Sequence, residues 1–192
     1  MEQGISSIPR EALSPPLQEM WDFVNELTGQ ARYVEKGAHA PELIDFAMND
    51  FYKKIFFAGR VDTRLKELAR LRMSLGHGCR SCNLANTQTT RAAGYSQAQI
   101  EAIEGDRSIF DARERAVLDL ADEFLLTNHQ GHLELDLYQR LRAHFDDAQI
   151  LELGTVMSYL GGLAKLLFVF DMAEKEETCP FRPASALPVA AE

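Results

Sequence analysis

What most constrains this chain is a nearly unbroken helical periodicity, punctuated by helix-start and helix-stop residues. No stretch keeps up the alternation of a strand. Ser14-Pro15-Pro16 begins a first helix, with Leu17, Met20, Trp21, Val24 and Leu27 on one stripe and Gly29 closing it. Pro41 opens a second, which turns Leu43, Phe46, Ala47, Phe51 and Ile55 inward and ends at Gly59. Asp62 or Thr63 caps a third running to about Gly76, and a fourth begins at the 79–82 segment and stops at Gly94. Ser96-Gln97-Ala98-Gln99 and Asp111-Ala112-Arg113-Glu114 have the form of capping boxes, the second opening a helix to about Leu126. After a polar loop over 127–132, a helix covers 134–144, and Asp146 or Asp147 caps a long one ending near Met172. The pattern predicts an all-α fold, a bundle of about eight helices.

At 192 residues the chain fits one compact domain. Within it we expect an N-terminal helical extension (1–37), a main domain (38–175) and a Pro-rich C-terminal tail (176–192), extended or mobile from Cys179 onward. An internal echo is visible. Asp62-x-x-Leu65-x-Glu67-Leu68 leading to Leu75-Gly76 resembles Asp147-x-x-Ile150-x-Glu152-Leu153 leading to Leu160-Gly161. Either two capped amphipathic helices share a common pattern, or a helical unit has been duplicated and has degenerated. In that register Ala164 and Leu167 match Cys79 and Cys82, so only the first copy carries thiols.

Charge narrows the partners. A net charge of −9 argues against nucleic acid and anionic membrane surfaces, which need clustered Lys and Arg. No hydrophobic run reads as a membrane span, and Met1-Glu2-Gln3-Gly4 is not the start of a signal peptide, so a cytoplasmic location is expected. There is no glycine-rich phosphate loop to hold a nucleotide, and no cofactor is expected.

Chemistry concentrates at Cys79-Arg80-Ser81-Cys82, a CxxC pair behind Gly76-His77-Gly78 and at the head of a helix. Three residues of helix rise about 4.5 Å, which leaves the two Cα atoms within disulfide reach. In a reducing compartment such a pair reads as catalytic or metal-binding. The helix N-terminus and Arg80 favour thiolate, and Glu67 can accept a proton if the third and fourth helices fold back on each other. Oxidation of one sulfur to a sulfenic acid lets the other condense with it to a disulfide. Competing readings are two buried thiols packed as small apolar groups, and a zinc site. Zinc would have to recruit His77, His39 and Cys179 at irregular spacing, and no metal is expected. Glu67 can equally pair with Arg70 or Arg64, and His77 can be a plain turn residue.

Glu67-Leu68-Ala69-Arg70-Leu71-Arg72, Gly78-Cys79-Arg80-Ser81-Cys82 and Arg91-Ala92-Ala93-Gly94-Tyr95-Ser96 together resemble the carboxymuconolactone decarboxylase superfamily. The branch they resemble is that of the alkyl hydroperoxidase D (AhpD)-like, peroxidase-related proteins. His39-Ala40-Pro41, the 111–116 segment and the stretch from Leu141 to Leu153 also fit, so the resemblance covers about residues 38–172. It implies an AhpD-like helical bundle, assembly into trimers or hexamers, and a dithiol peroxidase cycle. In that cycle Cys82 attacks the hydroperoxide, Cys79 resolves, Glu67 serves a proton relay, and an external dithiol restores the thiols. Two departures stand out: Asn86 replaces the relay histidine four residues after the second cysteine, and Ser81 replaces one between the cysteines. Asn86 bonds but does not shuttle protons, so His77 or water would have to complete the relay, and a disulfide could be the substrate instead of a peroxide. Two other functions stay open: cofactor-free decarboxylation or isomerisation of a lactone, and a non-catalytic redox-sensing oligomer.

Overall fold

The computed structural model describes residues 4–182, and among them the fold is all-α with no β-sheet. After a short 3₁₀ turn the helices are α1 (Pro15–Thr28), α2 (Arg32–Gly37), α3 (Pro41–Asp45), α4 (Thr63–His77), α5 (Arg80–Ala92), α6 (Gln97–Ala102), α7 (Ala112–Glu123), α8 (Leu135–Arg142) and α9 (Asp147–Val169). A π-helix, Phe46–Phe56, continues α3.

α4 is the hub. Leu65, Lys66, Glu67, Leu68, Ala69, Leu71, Met73, Ser74 and His77 are all buried, so it is covered on nearly every face. Leu65, Ala69 and Met73 pack with Val117 and Leu120 of α7, Leu141 of α8 and Leu153, Val156 and Met157 of α9. Leu68 and Leu71 pack on the other side, with Tyr95, Ile100, Ile103, Phe110 and Leu118. The predicted caps form: Asp62 opens α4, and complete capping boxes at Ser96, Asp111 and Asp146 open α6, α7 and α9.

Four expectations are corrected. α2 has no cap signal and is missing from the sequence reading; it is one short helix that buries Val34. Leu43 and Phe46 are exposed, not inward-facing. The π-helix widens the turn from Phe46 on, so the buried set becomes Ala47, Phe51 and Phe56. α9 is long and apolar enough to cross a bilayer by length and composition, where no such run was expected. Its inner face packs into the core through Leu153, Val156, Met157 and Leu160 and carries the buried carboxylate of Glu152. Finally, Cys179 is not in a mobile tail: it is buried, and its thiol donates to the His77 carbonyl at 3.1 Å. Pro183 and Pro188 lie outside the described residues.

The internal echo ends differently in its two halves. α4 stops because Gly78 adopts φ +64°, whereas α9 runs straight through Gly161 and Gly162.

Two buried charges tie the bundle together. Lys66 Nζ donates to the carbonyls of Ile55 (2.7 Å) and Phe56 (3.0 Å) and pairs with Glu152 Oε1 at 2.7 Å. Glu152 also accepts the Arg60 and Val61 amides, at 2.7 and 3.0 Å. Glu152→Ala would leave Lys66 buried and unpaired, and the expected destabilisation is about 3–5 kcal/mol. Urea unfolding of this variant beside the exposed control Glu134→Ala, expected within about 0.5 kcal/mol of wild type, checks it.

Candidate active site

The break between α4 and α5 builds the site. Gly78 closes α4 in the left-handed conformation, and a Cβ there would sit 2.7 Å from the Cys179 Cα. Two independent constraints therefore call for glycine. Cys79 is the N-cap of α5, and its sulfur accepts the Cys82 amide at 3.3 Å. Cys79 and Cys82 are joined in a disulfide with their Cα atoms 5.2 Å apart. Cys79 is fully buried and Cys82 half-buried. Burial of Cys79 comes from the segment after α9: Cys79 bridges to Lys175 and clusters with Phe168, Ala173 and Cys179.

Ser81, standing where the resemblance allows a histidine, is a structural rivet. Its hydroxyl accepts from Gln30 Nε2 at 2.8 Å and from the Glu174 amide at 3.0 Å. It thus ties the α1–α2 connection and the C-terminal segment to the CxxC turn. Arg80 faces away from the sulfurs, exposed and 3.8 Å from Glu174.

Cys82, Asn86 and Thr89 form one stripe on α5 at spacings of four and three residues. Asn86 is buried, one turn beyond Cys82, and its side-chain amide has no partner among the described residues. Glu67 meets the helix a turn farther on: Thr89 Oγ1 donates to its Oε2 at 2.9 Å and Arg70 Nη2 at 2.5 Å. The Glu67–Arg70 pairing is therefore real, but Glu67 is buried and not on an exposed face, while Arg64 pairs with Glu114. Along α5 the Glu67 contact at Thr89 lies about 10 Å of helix rise from Cys82, so Asn86 occupies the gap between carboxylate and sulfur.

His77 is buried beside the site, with Nε2 accepting the Leu126 amide at 3.1 Å. Burial, and then the nearby Arg72 charge, push its imidazole down to about 4. His77 is neutral at physiological pH and its Nε2 is already occupied.

The stripe opens on a cavity of about 370 Å³ with largely apolar walls. Its lining includes Met20, Val24 and Leu27 of α1, Tyr52 of the π-helix, Leu163 and Leu167 of α9, Arg70, His77 and both cysteines. This explains the first helix: its predicted apolar stripe exists, yet none of its residues is fully buried, because the stripe faces a cavity. Sequence reasoning missed Gln30, Arg70 and Thr89 as members of the site. For Arg70 and Thr89 the signal was the spacing from Glu67 and Cys82; for Gln30 there was none. Among the described residues no group of three or more His, Cys, Asp or Glu could hold a metal ion.

The carboxymuconolactone decarboxylase family profile matches residues 41–123, the span from α3 through α7. The match covers less than half of the chain. Glu67, Cys79, Cys82 and Asn86 lie inside the matched span, while the α1 and α9 walls of the cavity lie outside it. An uncharacterized protein of Mycobacterium tuberculosis is 31% identical over 117 residues, 60% of this chain and 40% of that one. The chain thus spans about two fifths of that relative's length. Two solved structures share the fold over nearly the whole chain. The debrominase Bmp8, as a Cys→Ala variant in complex with 2,3,4-tribromopyrrole, has a TM-score of 0.69 at 18% identity, covering 92% of this chain and 93% of that one. A peroxidase-related protein with an alkylhydroperoxidase AhpD core, from Ralstonia eutropha JMP134, has a TM-score of 0.67 at 17% identity, covering 91% and 93%.

His77 makes stability depend on acid. The fold holds it neutral down to about 4, whereas the unfolded chain protonates it below 6.5. The unfolded state therefore binds more protons in that window, and stability falls by about 3 kcal/mol as pH drops through it. His77→Gln keeps an acceptor for Leu126 and is expected to remove most of this loss, read by urea unfolding at about pH 7 and about pH 4.5.

Proposed function

We propose that the protein is a thiol-dependent peroxidase that reduces organic hydroperoxides through the Cys79/Cys82 dithiol–disulfide cycle. The observation that carries this reading is the unequal exposure of the two cysteines on the cavity wall: Cys79 is fully buried while Cys82 is half-buried. The Cys82 thiolate attacks one peroxide oxygen, the O–O bond breaks, and the alkoxide leaves as the alcohol after taking a proton. The resulting Cys82 sulfenic acid is attacked by Cys79, which forms the disulfide and releases water. An external dithiol then supplies two electrons and two protons to restore both thiols. Position at the first turn of α5 stabilises the attacking thiolate.

Glu67 is the relay acid or base in this proposal. Because it meets α5 at Thr89, a proton passes between it and Cys82 through water in the cavity, which the Asn86 amide holds in place by hydrogen bonding. The neutral, engaged His77 is a poor candidate for that step. Assembly as a homo-oligomer, a trimer or hexamer, belongs to the same proposal. It is supported by exposed apolar side chains such as Leu43, Phe46, Leu151 and Val169 on the outer faces of α3, the π-helix and α9.

A second reading is favoured by the aromatic walls Tyr33, Tyr52 and Phe57 and by the fold shared with Bmp8: reductive removal of halogen from an apolar aromatic. The dithiol would again give two electrons, halide would leave, and a proton would take its place on carbon.

Mass spectrometry of the thiols after one equivalent of cumene hydroperoxide tests the first reading. The expected product is a Cys79–Cys82 disulfide in the wild type and none in Cys82→Ser. Thiols that stay reduced would overturn it, and release of bromide from a bromopyrrole by the same reduced protein would then establish the second. Glu67→Gln keeps acceptors for Arg70 and Thr89, and stopped-flow measurement should find disulfide formation slowed by about a hundredfold.

A further inference from the structure

The cavity carries a charge that the peroxide cycle does not use. Among the described residues lining it Arg70 is the one charged side chain, since His77 is neutral. Arg70 spends Nη2 on Glu67 and Thr89, at 2.5 and 2.7 Å. Its guanidinium lies over the Phe56 ring, 4.9 Å from the centroid. Nε is sealed from water, without a partner. Nη1 has no partner among the described residues, is not sealed in that way, and belongs to a side chain that lines the cavity. A guanidinium presents its donors in a rigid planar fork, so an arm held in place by its sibling's two bonds is preorganised for an acceptor.

The polar wall therefore has two different ends. Cys82 stands at one, and Arg70, joined to Thr89, at the other, separated along α5 by about 10 Å. The cavity's apolar lining includes Val24 and Leu27 of α1 and Leu163 and Leu167 of α9. A water-sized peroxide would leave most of this apolar surface uncovered. A long apolar molecule would cover it and still leave Arg70 Nη1 in need of an oxygen.

We propose that the cavity binds an elongated, mostly apolar organic molecule whose oxygen acceptor, remote from the reacting atom, takes a hydrogen bond from Arg70 Nη1. Residues of α1 and α9 form the wall that selects for its length. This names the substrate class for the site described above and rests on that reading only for which end meets Cys82. Carboxylates and ester carbonyls share the required acceptor chemistry, and an amine lacks it.

The test uses the full chain in its disulfide form, so no peroxide chemistry takes part and the outcome is independent of the peroxidase experiment. Isothermal titration compares octanoate, methyl octanoate and octylamine. The expected result is binding of octanoate, methyl octanoate or both, with octylamine at least about tenfold weaker. Octanoate alone assigns a carboxylate as the acceptor; binding of both shows that a neutral oxygen suffices. Arg70→Lys keeps a cation beside Glu67 but removes the second donor arm, and should weaken the bound acceptor by about tenfold. Val24→Trp, which fills the cavity from its α1 wall, should abolish binding, with thermal unfolding showing that the variant is folded. Equal affinity for octylamine, unchanged affinity in folded Arg70→Lys, or no binding of any of the three by the wild type would overturn the proposal.

Discussion

Two adjacent charges of opposite sign, Lys66 and Glu67, are buried on the central helix, and the arrangement of the bundle depends on how they are matched. An unpaired charge in that position would cost several kcal/mol, so each must find partners. Successive residues on a helix point about 100° apart, which sends the two side chains in different directions. Lys66 reaches the end of the π-helix and Glu152 of α9. Glu67 reaches Thr89 of α5, with Arg70 completing its pairing. One dipeptide thereby locates α9 on one side of α4 and α5 on the other, and the cavity lies where those helices meet α1.

The second constraint is steric. Gly78 lets α4 end abruptly and lets the chain after α9 approach within contact of its Cα. That approach buries Cys79 fully while Cys82 stays half-buried, so two chemically identical thiols differ in exposure. Ser81 strengthens the junction by bonding to segments fifty-one residues before it and ninety-three after it. An active site assembled this way has a rigid sulfur pair and a wall, α1, that comes from outside the span shared with the family profile. The cysteines and the α1 and α9 walls of the cavity therefore belong to different parts of the chain.

Several features were legible without the structure. The capping boxes at Ser96 and Asp111 and the cap at Asp146 are contained within four residues each, and all form. The CxxC pair at a helix start was equally local. Where the reading failed, the cause was nonlocal. Phe46 lies outward where the π-helix begins, and the wider turn from there sets a phase that a 3.6-residue period does not record. Cys179 is buried because a glycine a hundred and one residues earlier makes room for it. The stripe on α1 was visible, but a stripe that faces a cavity looks the same in sequence as one that faces a core.

The sequence by itself determined the helices, most of their boundaries and the dithiol, because caps, turn glycines and CxxC spacing act over a few residues and owe little to the rest of the chain. Tertiary structure alone decided which thiol is fully buried, that Glu67 meets α5 at Thr89, that His77 is neutral and engaged, and that Arg70 keeps a free donor arm. Each of these depends on burial and on partners distant in sequence, and the dielectric and steric surroundings of a side chain exist only once the helices are packed.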